Sequence, residues 1–115
     1  MIVQDIISAL SLEVLAGGDH LDNQITGGYA SDLLSCVMAG AKTGNIWVTL
    51  QAHPNVVAVA DLLSLAGVII TENIQPTADT LTRAEEHGVP LLRASGNTFQ
   101  VVGTLFEMGV GHQES

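Results

Sequence analysis

Residues 44–92 read GNIWVTLQAHPNVVAVADLLSLAGVIITENIQPTADTLTRAEEHGVPLL. Gly44, Gly67 and Gly88 each stand just before an aliphatic or β-branched run: Asn45–Leu50, Val68–Thr71 and Val89–Leu92. From Gly40 onward the chain therefore repeats a unit of roughly 22 residues, in which a helix, a glycine stop and a strand alternate as in βα units. Each glycine suits the left-handed position that ends a helix and that other residues reach only with strain. Pro90 cannot donate a ladder hydrogen bond. Its run is thus expected to carry the proline at its first residue or to lie at an edge and cap the sheet.

Working outward, helix starts are marked by Ser31 or Asp32 before Leu33-Leu34, by Pro54 after His53, by Pro76-Thr77, and by Asn97 or Thr98 before Phe99. Upstream, Val3, Ile6, Ile7 and Leu10 recur at helical spacing and build one apolar stripe. Leu12–Leu15 reads as a short strand ending at Gly17-Gly18, and Asp19–Asn23 as the longest loop. The segment Ile25–Ser31 is either a glycine loop or a strand bent by its glycines, and we favour a strand running into Ser31. The sum is a helix followed by five strands, with helices after the last four. Right-handed crossovers fold that order into an α/β three-layer sandwich with a mainly parallel sheet of about five strands and helices on both faces. Residues 1–108 are expected to form one domain and 109–115 a frayed tail.

Composition agrees with this. A chain of 115 residues with 47% apolar and 13% charged side chains supports a single core. Its few aromatics leave that core to Leu, Val, Ile and Ala, the mixture of buried parallel sheets. Lys42, Arg83 and Arg93 stand against twelve acids, for a formal charge of −9, so nucleic acid and anionic membranes are poor partners. The single cysteine, Cys36, excludes an internal disulfide and a thiolate-rich metal site, and suits a reducing, cytoplasmic compartment. No basic region precedes the first apolar residues, and the apolar stretch 56–70 is broken by Asp61, Ser64 and Gly67, so neither a signal peptide nor a membrane span is expected.

In an open parallel sheet, ligands meet the carboxyl ends of the strands, where helix N-termini present backbone N–H groups. The corresponding loops hold Ser31 and Asp32; Thr49, Gln51, His53 and Asn55; Thr71, Glu72 and Asn73; and Ser95, Asn97 and Thr98. The first nine of these form the candidate ligand site. Caps and turns demand the same residue types whether or not anything binds, so the cluster carries more weight than its members. His53 could donate to a ligand, move a proton or cap its helix, and capping is the expected role. Pairing it with Asp32 would imitate the oriented base of a hydrolase, but no Gly-x-Ser-x-Gly elbow presents Ser31 or Ser35 as a nucleophile. Asp19, His20 and Asp22 match no established metal spacing, and neither a metal nor a cofactor is expected. Lys42 lacks the glycines of a phosphate loop, because Cys36 and Ala41 fill their places.

The runs Gly27–Ser35, Trp47–Gln51 and His53-Pro54-Asn55 resemble the small stand-alone DRTGG-domain proteins over nearly the whole chain. That family is similar to the amino-terminal domain of HPr kinase/phosphorylase, with relatives beside CBS domains in regulated pyrophosphatases. The resemblance implies a noncatalytic domain that binds a small ligand, pairs with a partner, or both. Aligned on the motif that names the family, the Asp-Arg pair falls near Ala52-His53 and the Thr-Gly-Gly triplet on Thr71-Glu72-Asn73, so that only Thr71 matches. The expected function is a noncatalytic, homodimeric regulatory module that takes a small polar or nucleotide-like ligand at the carboxyl edge. The alternatives are an interaction subunit whose acidic surface recognises a basic protein, and a small enzyme with His53 as base beside Asp32 or Glu72. The stripe Val101, Leu105 and Met108 could serve the core or an interface.

Overall fold

In the computed structural model, which describes residues 1–111, the elements follow in the order α1 (Val3–Leu10), β1 (Glu13–Ala16), β2 (Gly27–Ala30), α2 (Leu34–Gly40), β3 (Asn45–Thr49), α3 (Pro54–Leu62), β4 (Gly67–Ile70), α4 (Ala78–His87), β5 (Leu91–Arg93) and α5 (Thr98–Glu107). The sheet order is β1-β5-β4-β3-β2, with β2 to β5 parallel and β1 antiparallel at one edge. The α/β sandwich read from the sequence is therefore present.

Every residue of β3 and β4 is buried. Because strand side chains alternate between faces, two cores result. Trp47, Val68, Ile70 and Leu91 pack with Val37, Val56, Val57 and Ala84 of α2 to α4, whereas Ile46, Val48, Ile69 and Leu92 pack with Val3, Ile6, Val101 and Leu105 of α1 and α5. The order 2-3-4-5 explains the division, since successive right-handed crossovers stepping one way across a sheet leave their helices on one face. Val101 and Leu105 thus belong to the core, with Met108 packed against them.

Three local expectations change. The strand after Pro90 does not cap the sheet: β5 lies between β4 and β1, because an antiparallel β1 adds outside it. Pro90 sits just before β5 and uses its carbonyl, which accepts the Val68 N–H at 2.9 Å, so its missing donor is not needed. Gly67 is not the left-handed stop after α3. That conformation falls on Ser64 (φ 55°), and Gly67 opens β4 where an added Cβ would meet the Pro90 carbonyl at 3.1 Å. The loop between β1 and β2 contains a 3-10 turn at Gly18–His20. The helix after β2 also starts differently, since Leu33 occupies the cap position and Ser31 Oγ accepts the Leu33 N–H at 3.1 Å. The expected caps Thr77 and Asn97 do bind their helices. Beyond α5, Gly109 to Gly111 turn back and bury Val110, and the rest of the expected tail lies outside the described residues. Among the described residues, no helix is long and apolar enough to cross a membrane.

Two glycines make the energetics testable. Gly17 has φ 73°, and an added Cβ would lie 2.3 Å from the Val89 carbonyl oxygen, in rigid backbone. Gly103, inside α5, would place a Cβ with nothing within 4 Å. Gly17→Ala is expected to destabilise by at least about 2 kcal/mol. Gly103→Ala is expected to stabilise by about 0.5 to 1 kcal/mol, by improving helix propensity. Urea unfolding of the two variants checks the opposite signs.

Candidate functional site at the carboxyl edge

After β4 the chain turns to the face that carries α4, and after β5 to the face that carries α5. Adjacent strands whose following connections diverge leave a crevice at their carboxyl ends, the usual ligand position in open α/β sheets. Thr71, Glu72 and Asn73 stand at this point after β4, and Gly96 and Thr98 after β5, where hydrogen bonds join the two loops. Thr71 is buried and shares a hydrogen bond of 2.7 Å with the Thr98 hydroxyl. Glu72 Oε2 accepts the backbone N–H of Thr98 at 2.8 Å, while the Glu72 N–H donates to the Gly96 carbonyl. A carboxylate of the chain itself therefore sits on the first turn of α5, where the helix dipole favours negative charge.

Glu72 and Asn73 both adopt left-handed backbone, with φ of 63° and 57°. Asparagine tolerates that region, but for glutamate it costs on the order of 1 kcal/mol. The Glu72 bond to Thr98 offsets this, as does the bond that Arg93 donates from Nη2 to Asn73 Oδ1 at 2.6 Å. Arg93 donates from Nη1 to Glu13 at 2.7 Å, so both terminal guanidinium nitrogens are held by the chain. Its Nε is buried without a hydrogen-bond partner.

A second polar cluster lies at the ends of β2 and β3. Asp32 Oδ1 accepts from the Thr49 hydroxyl (2.9 Å) and the Leu50 N–H (2.8 Å), and Gln51 Nε2 donates to the Asp32 carbonyl. The Ser31 carbonyl accepts the indole N–H of buried Trp47 at 2.9 Å, which ties this turn to the core. The Thr71 N–H donates to the Thr49 carbonyl at 3.0 Å and joins the two clusters. Between them, His53 caps α3: its Nδ1 accepts the Asn55 N–H at 3.1 Å. The side chains of His53 and Asn55 are exposed.

The structure thus gathers the nine sequence-expected residues along one edge in two hydrogen-bonded groups, with His53 and Asn55 at the helix start between them. Among the described residues His53 is not hydrogen-bonded to Asp32: His53 Nδ1 accepts the Asn55 N–H, and Asp32 Oδ1 accepts from Thr49 and Leu50. Sequence reading overlooked Arg93 as a member of the edge, although its place at the last position of β5 puts it there. It also left Thr98 outside the candidate set, since its hydroxyl partner Thr71 is 27 residues away.

With this geometry in hand, comparison with known proteins is informative. The model of the DRTGG domain matches residues 5–108. No curated protein matches the chain. Among solved structures, the fold is similar to the CBS and DRTGG domains of the regulatory region of Clostridium perfringens pyrophosphatase, complexed with its activator diadenosine tetraphosphate. The TM-score is 0.71 at 13% identity, covering 90% of this chain and 45% of that one. The chain therefore spans under half the length of that neighbour. Glu72 and Asn73, which the resemblance sets against the motif's two glycines, are the two left-handed residues of this loop. Both residues thus adopt a backbone that glycine reaches without steric cost.

This predicts an order of stabilities. Glu72→Ala keeps the left-handed cost and loses the bond to Thr98, so it is expected to destabilise by about 2 kcal/mol. Glu72→Gly loses the same bond but relieves the backbone, and is expected to be more stable than Glu72→Ala by about 1 kcal/mol. Chemical denaturation of the three proteins reads that order directly.

Proposed function

Because the chain belongs to the DRTGG domain family, we propose that it is a noncatalytic regulatory module that senses a small polar or nucleoside-like ligand at the carboxyl edge of its sheet. The observation that carries this reading is the pair Glu72 and Asn73 at the carboxyl ends of β4 and β5, held in left-handed backbone by side-chain bonds to a neighbouring strand and helix. Strain of that kind concentrates at ligand clamps and switch regions. The activator bound in the pyrophosphatase regulatory region directs attention to nucleotides.

Charge narrows the class. The edge carries Asp32 and Glu72, and Arg93, its basic residue, is held by Glu13 and Asn73. A polyphosphate would meet carboxylates where it needs a bidentate clamp. The edge suits the base and ribose of a nucleoside, which offer neutral donors and acceptors to Gln51 and Asn55. A noncatalytic role is supported by the side chains that could do chemistry: Ser31 accepts from Leu33, Asp32 from Thr49 and Leu50, and His53 from Asn55, each stabilising a turn or helix start. The free cysteine, Cys36, is exposed and fits a reducing, cytoplasmic setting.

Thermal unfolding with adenosine, AMP, ATP and diadenosine tetraphosphate tests the reading. A ligand present at about 100 times its dissociation constant adds about 2.7 kcal/mol to the folded state. Adenosine and AMP are expected to raise the midpoint, the polyphosphates to raise it less, and Asn55→Ala, which alters an exposed side chain, to abolish the rise without lowering the unliganded midpoint. A flat response to all four compounds overturns the ligand reading.

His53 offers a separate check. His53→Ala is expected to cost about 1 kcal/mol by removing the α3 cap, and His53→Ser to restore most of it. Full recovery of stability by serine marks a cap; ligand response that survives both variants excludes an obligatory imidazole.

A further inference from the structure

Two cavities meet beside β2. One, of about 280 Å³, lies where β2 faces α5 and is walled in part by Ala30, Val48, Val102, Leu105 and Val110. The other, of about 460 Å³, lies toward the start of β2 and takes in Thr26, Gly40, Lys42, Thr43 and Asn45. Gly28, Tyr29 and Gly111 line both, so the two form one groove, aliphatic at one end and polar with a single cation at the other. None of the candidate residues of the carboxyl edge lines either cavity.

Asn45 shapes the polar end. Its Oδ1 accepts the Lys42 N–H at 2.9 Å and its Nδ2 donates to Thr26 Oγ1, whose own proton goes to the Thr43 carbonyl. These groups satisfy one another and fix the turn after α2. The Lys42 ammonium is not used in this way. Arg83 is paired with Asp79 and Arg93 with Glu13, but among the described residues Lys42 has no acidic partner. Asp32, which follows β2, and Glu107, at the end of α5, line neither cavity. A cation that borders a cavity rather than a carboxylate, in a chain of formal charge −9, is left to pair with an anion from outside. Gly28 marks the junction of the two cavities. The Ser31 N–H donates to the Val48 carbonyl, and alternate residues of a strand turn their backbone groups to opposite sides, so the Gly28 N–H turns away from β3. A Cβ added at Gly28 would stand 3.3 Å from Val110 Cγ1, so glycine keeps the passage between the two ends open.

We propose that this groove binds a small amphiphilic monoanion, an alkyl carboxylate whose chain enters the aliphatic cavity and whose head meets Lys42 and the Gly28 N–H. Space sets the tail. Small-molecule sites begin at about 300 Å³, so the aliphatic end takes a short chain rather than a long lipid. Charge sets the head. A neutral amphiphile leaves Lys42 unpaired, and a polyanion meets one cation in the field of an acidic chain, whereas a single carboxylate matches a single ammonium. The two ends together select for a molecule with both features, because neither an apolar tail nor a bare anion fills the groove alone. The inference is independent of the nucleoside reading, since the two sites share no residue.

Titration of the nitrogen-15-labelled full chain with octanoate, hexanoate and 1-octanol, followed by amide chemical shifts, tests it. Octanoate is expected to move the amides of Gly28, Lys42, Val102 and Val110 and to leave those of Glu72 and Asn73 in place. Removing two methylenes, from octanoate to hexanoate, is expected to weaken binding by about tenfold. The neutral 1-octanol is expected to bind about threefold more weakly than octanoate, the yield of one partly exposed ion pair. Lys42→Gln, at an exposed position, is expected to erase the difference between octanoate and 1-octanol while keeping the dependence on chain length, and Val102→Asp to weaken both ligands, each variant retaining the wild-type circular dichroism. No shift at these amides up to millimolar octanoate overturns the inference, as do equal affinities for octanoate and hexanoate, equal affinities of the wild type for octanoate and 1-octanol, or shifts confined to Glu72 and Asn73. It also falls if only a chain ending at Gly111 binds octanoate, because residues 112–115 then fill the groove, or if sedimentation shows a dimer to which octanoate does not bind, because a second copy then covers it.

Discussion

The burial of β3 and β4 on both faces is the constraint on which the rest of this structure depends. A strand apolar on one side needs one cover; Ile46-Trp47-Val48 and Val68-Ile69-Ile70 are apolar on both and need two. The three-layer arrangement follows, with α2, α3 and α4 on one face and α1 and α5 on the other. Trp47 shows how the core reaches the carboxyl edge. Its ring is fully buried against α2 and α3, and its indole N–H holds the Ser31 carbonyl, so the turn that presents Asp32 is anchored by packing.

The carboxyl edge illustrates a different balance. Buried threonines at the ends of two neighbouring strands, Thr49 and Thr71, direct their hydroxyls to the loops above, one to Asp32 and the other to Thr98. These bonds order loops that would otherwise be held by their termini alone. At Glu72 and Asn73 the same principle supports an unfavourable backbone, since side-chain bonds worth about 1 to 3 kcal/mol each can offset a left-handed residue. The edge is rigid because its polar groups are satisfied by one another.

Charge is also distributed with a pattern. Among the described residues the acids lie on α1, β1, α3, α4, the end of α5 and the connecting loops, while β2 and α2 hold none. The sheet therefore ends in an antiparallel, ion-paired strand at β1 and in the uncharged β2 at its other side.

Much of this was legible in the chain itself. The glycine-punctuated βα repeat, the buried character of Ile46–Val48 and Val68–Ile70, and the caps at His53, Thr77 and Asn97 are local signals, each arising within a few residues, and so the α/β class and the loops forming the carboxyl edge could be read from sequence. Sheet order could not. That β1 adds antiparallel outside β5, making the strand after Pro90 internal, depends on contacts between residues 13–16 and 91–93, a separation at which no periodicity carries information. The left-handed stop at Ser64 rather than Gly67 was hidden for a related reason: the glycine was required by the Pro90 carbonyl of a neighbouring strand, not by its own helix. Likewise Arg93, Glu13 and Asn73 became one group, and Val101 and Leu105 became core, only when the layers closed. Local chemistry determined which elements form and where they stop. Tertiary packing alone decided which edges stay open and which polar groups meet, because those depend on distances across the chain rather than along it.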